Sequence, residues 1–501
     1  VREAENYEKA ANWEKAREIY EGLLSQFDPG LNIRERYHTV LRHCWQVRRH
    51  QDTSYHKEVL SIEYGQALRL YSIVSDTILD GAVEKKKIEP GRLFSKGLEE
   101  LHTALGDTIF LQQHVPAAKL ADIEAFRALL RKTWGEKRTM SRKEAAQQIG
   151  EVAMAAESHL QLSATVVTME FACGACYAID EFTVYLTPNQ LRELMQSLSN
   201  TEAVGVGLKL RLQNNKILVA DVAPDGPANQ LIDRNDQIIS VDKKPVAGVS
   251  LEGIKDLLQG PVGSSVELEL MSPMDMTTRL VRIQRRAGIP SVISFMLGES
   301  SFGYLKISGF TETTPQDVDA ALAALSQDGM TGLILDLRDN GGGVFDSAIE
   351  TARRFLSKGI ITSSLHQDPK FNLVYHARNP NALSVPVTVL VDGYTASAAE
   401  VLAGALKDNQ RGILIGQTTF GKGCMQCVLK LPRASGGVPT GGLKLTVARF
   451  FSPKGIPYSG RGIVPNIVID DRVVPSQADA MMDSYVARAV AELNRMVAAQ
   501  K

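Results

Sequence analysis

VTVLVDGYTASAAEVLAGALKD, residues 387–408, runs from an unbroken apolar segment through a turn of small and polar residues into an amphipathic stretch. The apolar segment, closed by Asp392 and Gly393, reads as a buried strand, and the Ala- and Leu-rich stretch from Ala396 onward as a helix. The same order occurs upstream. FGYLKIS (302–308) precedes a helix near 314–326, and GLILDLRDNGGGVFDSA (332–348) passes from a strand through a glycine turn into a helix near 346–356. Such alternation predicts an α/β core over residues 286–475, a mixed sheet with largely parallel strands and flanking helices. Reactive groups in such sheets gather at strand ends.

Before this core the pattern changes twice. Residues 200–285 alternate apolar positions with Gly- and Pro-containing turns, as in VGVGLKLRL, KILVADVAPDGPA and DQIISVD. With one helix near 251–259 and a further strand at 265–271, they predict a small β-rich module. Residues 1–160 are rich in Ala, Leu, Glu, Lys and Arg, with Trp13, Ala16, Ile19, Tyr20, Leu23 and Leu24 at helical spacing, and predict an all-α region. WEKAREIYEGLLSQFDP resembles half of a tetratricopeptide repeat, but no convincing repeat of that period follows it. Residues 161–199 are expected to lead from these helices into the core, and 476–501 to form a C-terminal helix.

The 501 residues suffice for about three units. A balance of 56 basic against 57 acidic side chains, net −1, gives no electrostatic reason for a nucleic-acid or acidic-membrane partner. The most apolar stretch, 163–179, is interrupted by Glu170 and falls short of a membrane span. The chain starts at Val1 rather than Met, so an export segment or anchor is expected to have preceded it. Five cysteines are too few for a disulfide framework. Cys173/Cys176 and Cys424/Cys427 each form a C-x-x-C pair, open to three readings: a metal site, a disulfide or plain thiols. No cofactor is expected.

Ser397 falls at a helix start, where unpaired N–H groups and the positive dipole end favour a developing oxyanion; the plainer reading is a helix cap. Lys422 lies between Gly421 and Gly423 in ILIGQTTFGKGCMQCVLKL (413–431). It becomes a base only if desolvation, expected beside Phe420, depresses its pKa by about 3 units. Otherwise it is a solvated loop lysine or a phosphate-cradling one, although Gly423 stands where a P-loop needs Ser or Thr. The turn with Arg338, Asn340 and three glycines suits an oxyanion hole or a nucleotide loop, the latter disfavoured by its spacing. A Ser/His/Asp triad is unsupported: the last histidine is His376, and T-A-S-A-A replaces G-x-S-x-G. A lysine base is the more economical proposal.

Together these segments resemble the C-terminal processing, or tail-specific, protease family. The resemblance spans roughly residues 87–470 and rests on motifs in order: DEFTVYLTPNQL (180–191), GVGL (205–208), LDLRDNGGG (335–343), YTASAAEVLAGAL (394–406), GQTTFGKG (416–423) and GLKLTVARFFSPKG (442–455). It implies an inserted PDZ domain at 200–285, whose Gly205, Val206, Gly207 and Leu208 hold a substrate's terminal carboxylate. It further implies that Ser397 attacks the scissile carbonyl and that neutral Lys422 takes its proton. Gln426 orients that base, and the Gly343 and Ala398 amides form the oxyanion hole. Substrates would be proteins or peptides with exposed, unstructured C-termini, in an extracytoplasmic setting such as the periplasm or cell envelope. The N-terminal helices are expected to offer a dimerisation or adaptor surface.

Three positions depart from the family pattern: Asn235 before Asp236, Gly341 where Pro is common, and Asn466 where Asp is frequent. Two rival readings are a catalytically silent PDZ scaffold that binds C-terminal peptides, and an enzyme related to the enoyl-CoA hydratases.

Overall fold

Apolar runs decide the centre of the molecule. A computed structural model describes residues 1–26, 30–83, 88–136, 139–199, 204–213, 216–222, 226–229, 231–246, 249, 251–258, 263–273, 277–287, 291–298, 300–469 and 484–499. In it, Gly332–Asp336 and Val387–Val391 are buried at every position, as strands covered on both faces must be. They form the middle of a six-stranded sheet in the order Val292–Met296, Phe302–Ile307, Gly332–Asp336, Val387–Val391, Ile413–Gly416, Ile467–Val468. The first pair is antiparallel and the following four are parallel. Helices Thr314–Gln327, Phe345–Phe355 and Ala398–Asp408 cover one face through Val318, Phe355 and Leu402. Helix Ser484–Ala498 covers the other through Tyr485, Ala489 and Leu493.

A second, antiparallel sheet is organised by the long strand Gly442–Phe451. One of its edges pairs with Cys424–Lys430, the other with Val184–Leu186 and Lys358–His366, and the last of these pairs in turn with Leu373–Arg378. Leu443 and Leu445 of the long strand enter the same apolar cluster as the N-terminal helices Tyr64–Gly81, Pro90–Ala104 and Ala164–Cys176. That last helix is the apolar stretch noted in the sequence. It is buried on every side from Thr165 to Cys176 because it lies at the centre of the helical layer. The chain then passes through Val184–Leu186 and helix Pro188–Ser199 toward the β-rich unit.

The helical layer also buries charge. Glu170 and Glu100 are fully buried. Glu170 accepts hydrogen bonds from Gln46 Nε2 (3.0 Å) and Arg49 Nη2 (2.9 Å), and lies 3.0 Å from His50 Nε2. Glu100 accepts from Arg42 Nε (2.5 Å), Arg49 Nη2 (3.1 Å) and Gln46 Nε2 (3.2 Å). Burial alone pushes the Glu170 carboxyl up, yet Arg49 and His50 bring it down to about 2.

The β-rich unit has its own core, built from Val219, Ile238, Ile254, Leu268 and Ile283. The expected single strand at 204–212 is divided: Val204–Gly205 pairs with Arg286–Ala287, and Leu208–Gln213 starts a separate sheet. Gly207 separates them with φ +80°, and a Cβ there would lie 2.9 Å from Gly226 Cα.

Candidate active site

Three loops meet where the parallel strands end. Gly332–Asp336 leads into the glycine turn, Val387–Val391 into the segment before helix Ala398–Asp408, and Ile413–Gly416 into the loop that carries Lys422. Asn340, fully buried, ties the first to the second. Its carbonyl accepts the Ala396 amide (2.9 Å), its side-chain oxygen accepts the Gly342 amide (2.9 Å), and its Nδ2 donates to the Ile307 carbonyl (2.9 Å). Thr395 ties the second to the third by accepting the Phe420 amide at 3.0 Å.

The glycines are required by this closeness. A Cβ on Gly342 would stand 2.8 Å from Ser397 Cβ, and one on Gly343 2.0 Å from the Phe310 carbonyl oxygen. Ser397 itself has φ 57°, ψ −117°, a conformation costly for a residue with a side chain and common where strain presents a reactive group. Among the described residues, neither the Gly343 nor the Ala398 amide donates to a protein acceptor.

One buried carboxylate joins the serine to the lysine. Glu400, in the first turn of helix Ala398–Asp408, is fully buried, and its Oε2 accepts both the Ser397 amide (2.8 Å) and the Lys422 amide (2.8 Å). Its Oε1 accepts from Thr419 Oγ1 (2.5 Å) and the Gly421 amide (2.8 Å). Burial raises the Glu400 carboxyl above its ordinary range, with these four donors working the other way.

The Lys422 side chain is half-buried, with the Phe182 ring on one side and Cys424, Asp180, Glu181 and Glu400 nearby. Its Nζ sits 4.9 Å from the centroid of the Phe182 ring, and desolvation holds the amine below the ordinary lysine range. The ring against the ammonium is therefore Phe182, not the Phe420 expected from sequence proximity. Phe182 belongs to a segment fixed at both ends. Asp180 accepts the Phe182 and Thr183 amides (3.1 and 2.8 Å), Thr183 Oγ1 accepts the Thr446 amide (3.2 Å), and Glu181 lies 3.3 Å from His38 of the helical layer. Gln426 Nε2 reaches Cys424 Sγ (3.0 Å) and Thr446 Oγ1 (3.3 Å) beside this pocket.

A serine at a helix start, two donor amides and a desolvated amine on a neighbouring loop are the parts that acyl transfer needs. Known proteins resemble the chain over this region. Residues 301–469 match the model of peptidase family S41, and 196–271 that of the PDZ domain. A chloroplastic C-terminal processing peptidase of Tetradesmus obliquus is 33% identical over 322 residues, 60% of this chain and 68% of its own. The carboxyl-terminal-processing protease of Picosynechococcus sp. is 33% identical over 314 residues (61% and 72%), and the carboxy-terminal-processing protease of Bartonella bacilliformis 30% over 308 (59% and 68%). The chain belongs to peptidase family S41.

As an S41 peptidase it is a serine-type enzyme with a PDZ domain and an all-helical N-terminal region. Sequence reading of this S41 peptidase missed Glu400 and Phe182. Glu400 carried a signal, since Ser397 and Glu400 have the S-x-x-E spacing of a capping box. Phe182 carried none, because its contact with Lys422 is made across the fold. In the PDZ domain, Val206 and Gly207 are buried, and the Val206 carbonyl accepts the Ala228 amide at 2.9 Å. The five cysteines of the peptidase are free thiols. Cys424 and Cys427 lie on opposite faces of one strand, buried and exposed respectively, which precludes a bridge between them.

Proposed function

We propose that this S41 peptidase is an endopeptidase that cuts proteins or peptides near their C-termini with a Ser397/Lys422 dyad. The observation that carries the reading is Glu400 Oε2, which accepts both backbone amides and so brings the serine turn and the lysine loop together. Ser397 Oγ attacks the scissile carbonyl carbon as its proton passes to the neutral Lys422 amine. Charge then develops on the carbonyl oxygen, which the Gly343 and Ala398 amides receive. The Lys422 ammonium returns the proton to the leaving amine, and the acyl-enzyme is hydrolysed by water with Lys422 again as base. Gln426 steadies the base from the adjoining strand.

The PDZ domain takes the substrate's unstructured C-terminus as an added strand, with its carboxylate on the loop of Gly205, Val206, Gly207 and Leu208. The names of the relatives, all processing proteases of carboxyl termini, support this substrate class. The site of action is extracytoplasmic, and the N-terminal helices act as a contact surface for a second copy or an adaptor. Domain limits at residues 160, 199, 285 and 475 accompany this reading.

The test is hydrolysis of an unfolded protein with an apolar C-terminus by the parent, Ser397→Ala and Lys422→Ala. The parent cleaves, and each variant loses about 10³-fold or more in kcat/KM. Cleavage by either variant at the parent's rate removes the dyad. A parent that binds the C-terminal peptide and never cuts it is the silent scaffold instead.

A further inference from the structure

A second lysine shares the pocket of Lys422. Lys444 of the long strand Gly442–Phe451 stands directly opposite Val184 on one side and Val428 on the other. Side chains alternate along a strand. Leu443 and Leu445 enter the helical core, so Lys444 and Thr446 face the other way. That other face is the wall of the base pocket. Thr446 Oγ1 receives Gln426 Nε2, Gln426 Nε2 reaches Cys424 Sγ, and Phe182, two residues before Val184, lies under Lys422 Nζ.

The acids near Lys422 direct their oxygens to other donors, although their charge still favours the lysine's protonated form. Asp180 caps two amides, Glu181 is paired with His38, and Glu400 receives three amides and a hydroxyl. The Cys424 thiol, pushed up to about 12 by burial, is neutral. Among the described residues, neither the Lys422 nor the Lys444 ammonium makes a hydrogen bond or ion pair. Lys444 is half-buried, and burial followed by the charge of Lys422 brings its amine down to about 8. At Lys422 desolvation lowers the amine while Cys424, Asp180, Glu400 and Glu181 draw it up, and a cation on the same wall adds to the lowering because like charges disfavour each other's protonated form.

We propose that Lys444 is a positioning residue of the catalytic base: its positive charge, in the same pocket, favours the neutral amine at Lys422 and so sets the pH at which Ser397 is activated. The inference rests on Lys422 being that base. Because the base must be neutral, kcat/KM rises with pH through the titration of Lys422. Removing the charge at Lys444 therefore moves this acidic limb to higher pH.

The experiment records kcat/KM from about pH 5 to about pH 10, together with the rate at which a fluorophosphonate probe labels Ser397, for the parent, Lys444→Met, Lys444→Arg and Lys422→Ala. Lys444→Met lowers both rates about tenfold on the acidic limb and leaves the alkaline plateau within about twofold. Lys444→Arg, charged throughout, restores the limb. If the Met variant does not fold, Lys444→Gln carries the same prediction. A limb unmoved by loss of the charge, or an equal loss at every pH in both the neutral and Arg variants, overturns the inference. Lys422→Ala with the parent's profile overturns the base assignment and this inference with it. An inactive Lys422→Ala beside an unmoved Lys444→Met limb overturns this inference alone.

Discussion

Two clusters of charge in this chain, one buried and one half-buried, are held on opposite terms. In the helical layer, the Glu170 and Glu100 carboxylates each meet three side-chain partners among Gln46, Arg42, Arg49 and His50. Lys422, on the loop after a parallel strand, and Lys444, on the antiparallel sheet's long strand, make no ion pair among the described residues, while Glu400 serves backbone amides. A buried charge that is fully partnered keeps its charge and fixes the shape of what surrounds it. One left without an ion pair loses its proton more readily than it does in water.

The largest effect that tests this contrast is expected in the helical layer. Glu170→Gln leaves Arg49 and His50 facing a neutral partner and costs on the order of 3–5 kcal/mol, read from the urea unfolding midpoint. The Glu170 carboxyl is held at about 2, below its unfolded value, so its contribution is complete above the ordinary carboxylate range and is lost as pH falls toward about 2. The gap between parent and variant therefore narrows in acid. The pH profile of kcat/KM stays where it was. A midpoint equal to the parent's breaks the comparison.

Lys422→Met is expected to act with the opposite sign, abolishing hydrolysis while raising Tm by about 2–4 °C near neutral pH. The lysine's folded pKa lies below its unfolded one, so the parent carries the full penalty below the folded value and sheds it as pH rises toward about 10.4. The gain in Tm is thus greatest in acid and fades in alkali. A fall in Tm at neutral pH means that the amine contributes packing the pocket cannot lose.

The smallest effect concerns the thiols beside each cluster. Cys173 and Cys176 are buried in the helix that carries Glu170, and Cys424 lies two residues after Lys422. Reductant and chelator are expected to leave kcat/KM within about twofold, because burial keeps the Cys176 and Cys424 thiols protonated and unreactive. A clear loss with chelator alone would assign a metal to the second site and sharpen the contrast in another direction.

Much of the fold was legible because its strands and helices announce themselves locally. The runs at Gly332–Asp336, Val387–Val391 and Ser265–Met271 are strands, and Thr314–Gln327, Phe345–Phe355 and Leu251–Leu258 are helices within a residue or two of expectation. Gly207 interrupting a strand was less visible, since VGVGLKLRL alternates well enough to read as continuous. In the site, turn and glycine context marked Ser397 and Lys422 only as a helix cap and a loop lysine would be marked, and the ordered motifs of the family resemblance singled them out. Phe182 and Lys444 could not be singled out. Their relevance depends on the register of Val184–Leu186 and Cys424–Lys430 against Gly442–Phe451, which is set by contacts between segments far apart in sequence. Glu400 looked like an ordinary acid in a first helical turn until its burial showed otherwise.

The long strand has a consequence for how the chain is made. Leu443 and Leu445 close a cluster whose other members, such as Leu70, Phe94 and Phe171, are synthesised far earlier. As the polypeptide elongates, those helices emerge with one apolar flank uncovered and wait for a strand near the opposite terminus. Contacts of such wide sequence separation form slowly and expose intermediates to aggregation. Most of that cluster lies between Tyr55 and Ala178, so the strand closes an edge of a layer that is otherwise already supplied, whereas the surroundings of Lys422 are completed only with it. The pocket around Lys422 is thus among the last parts of the chain to be walled in.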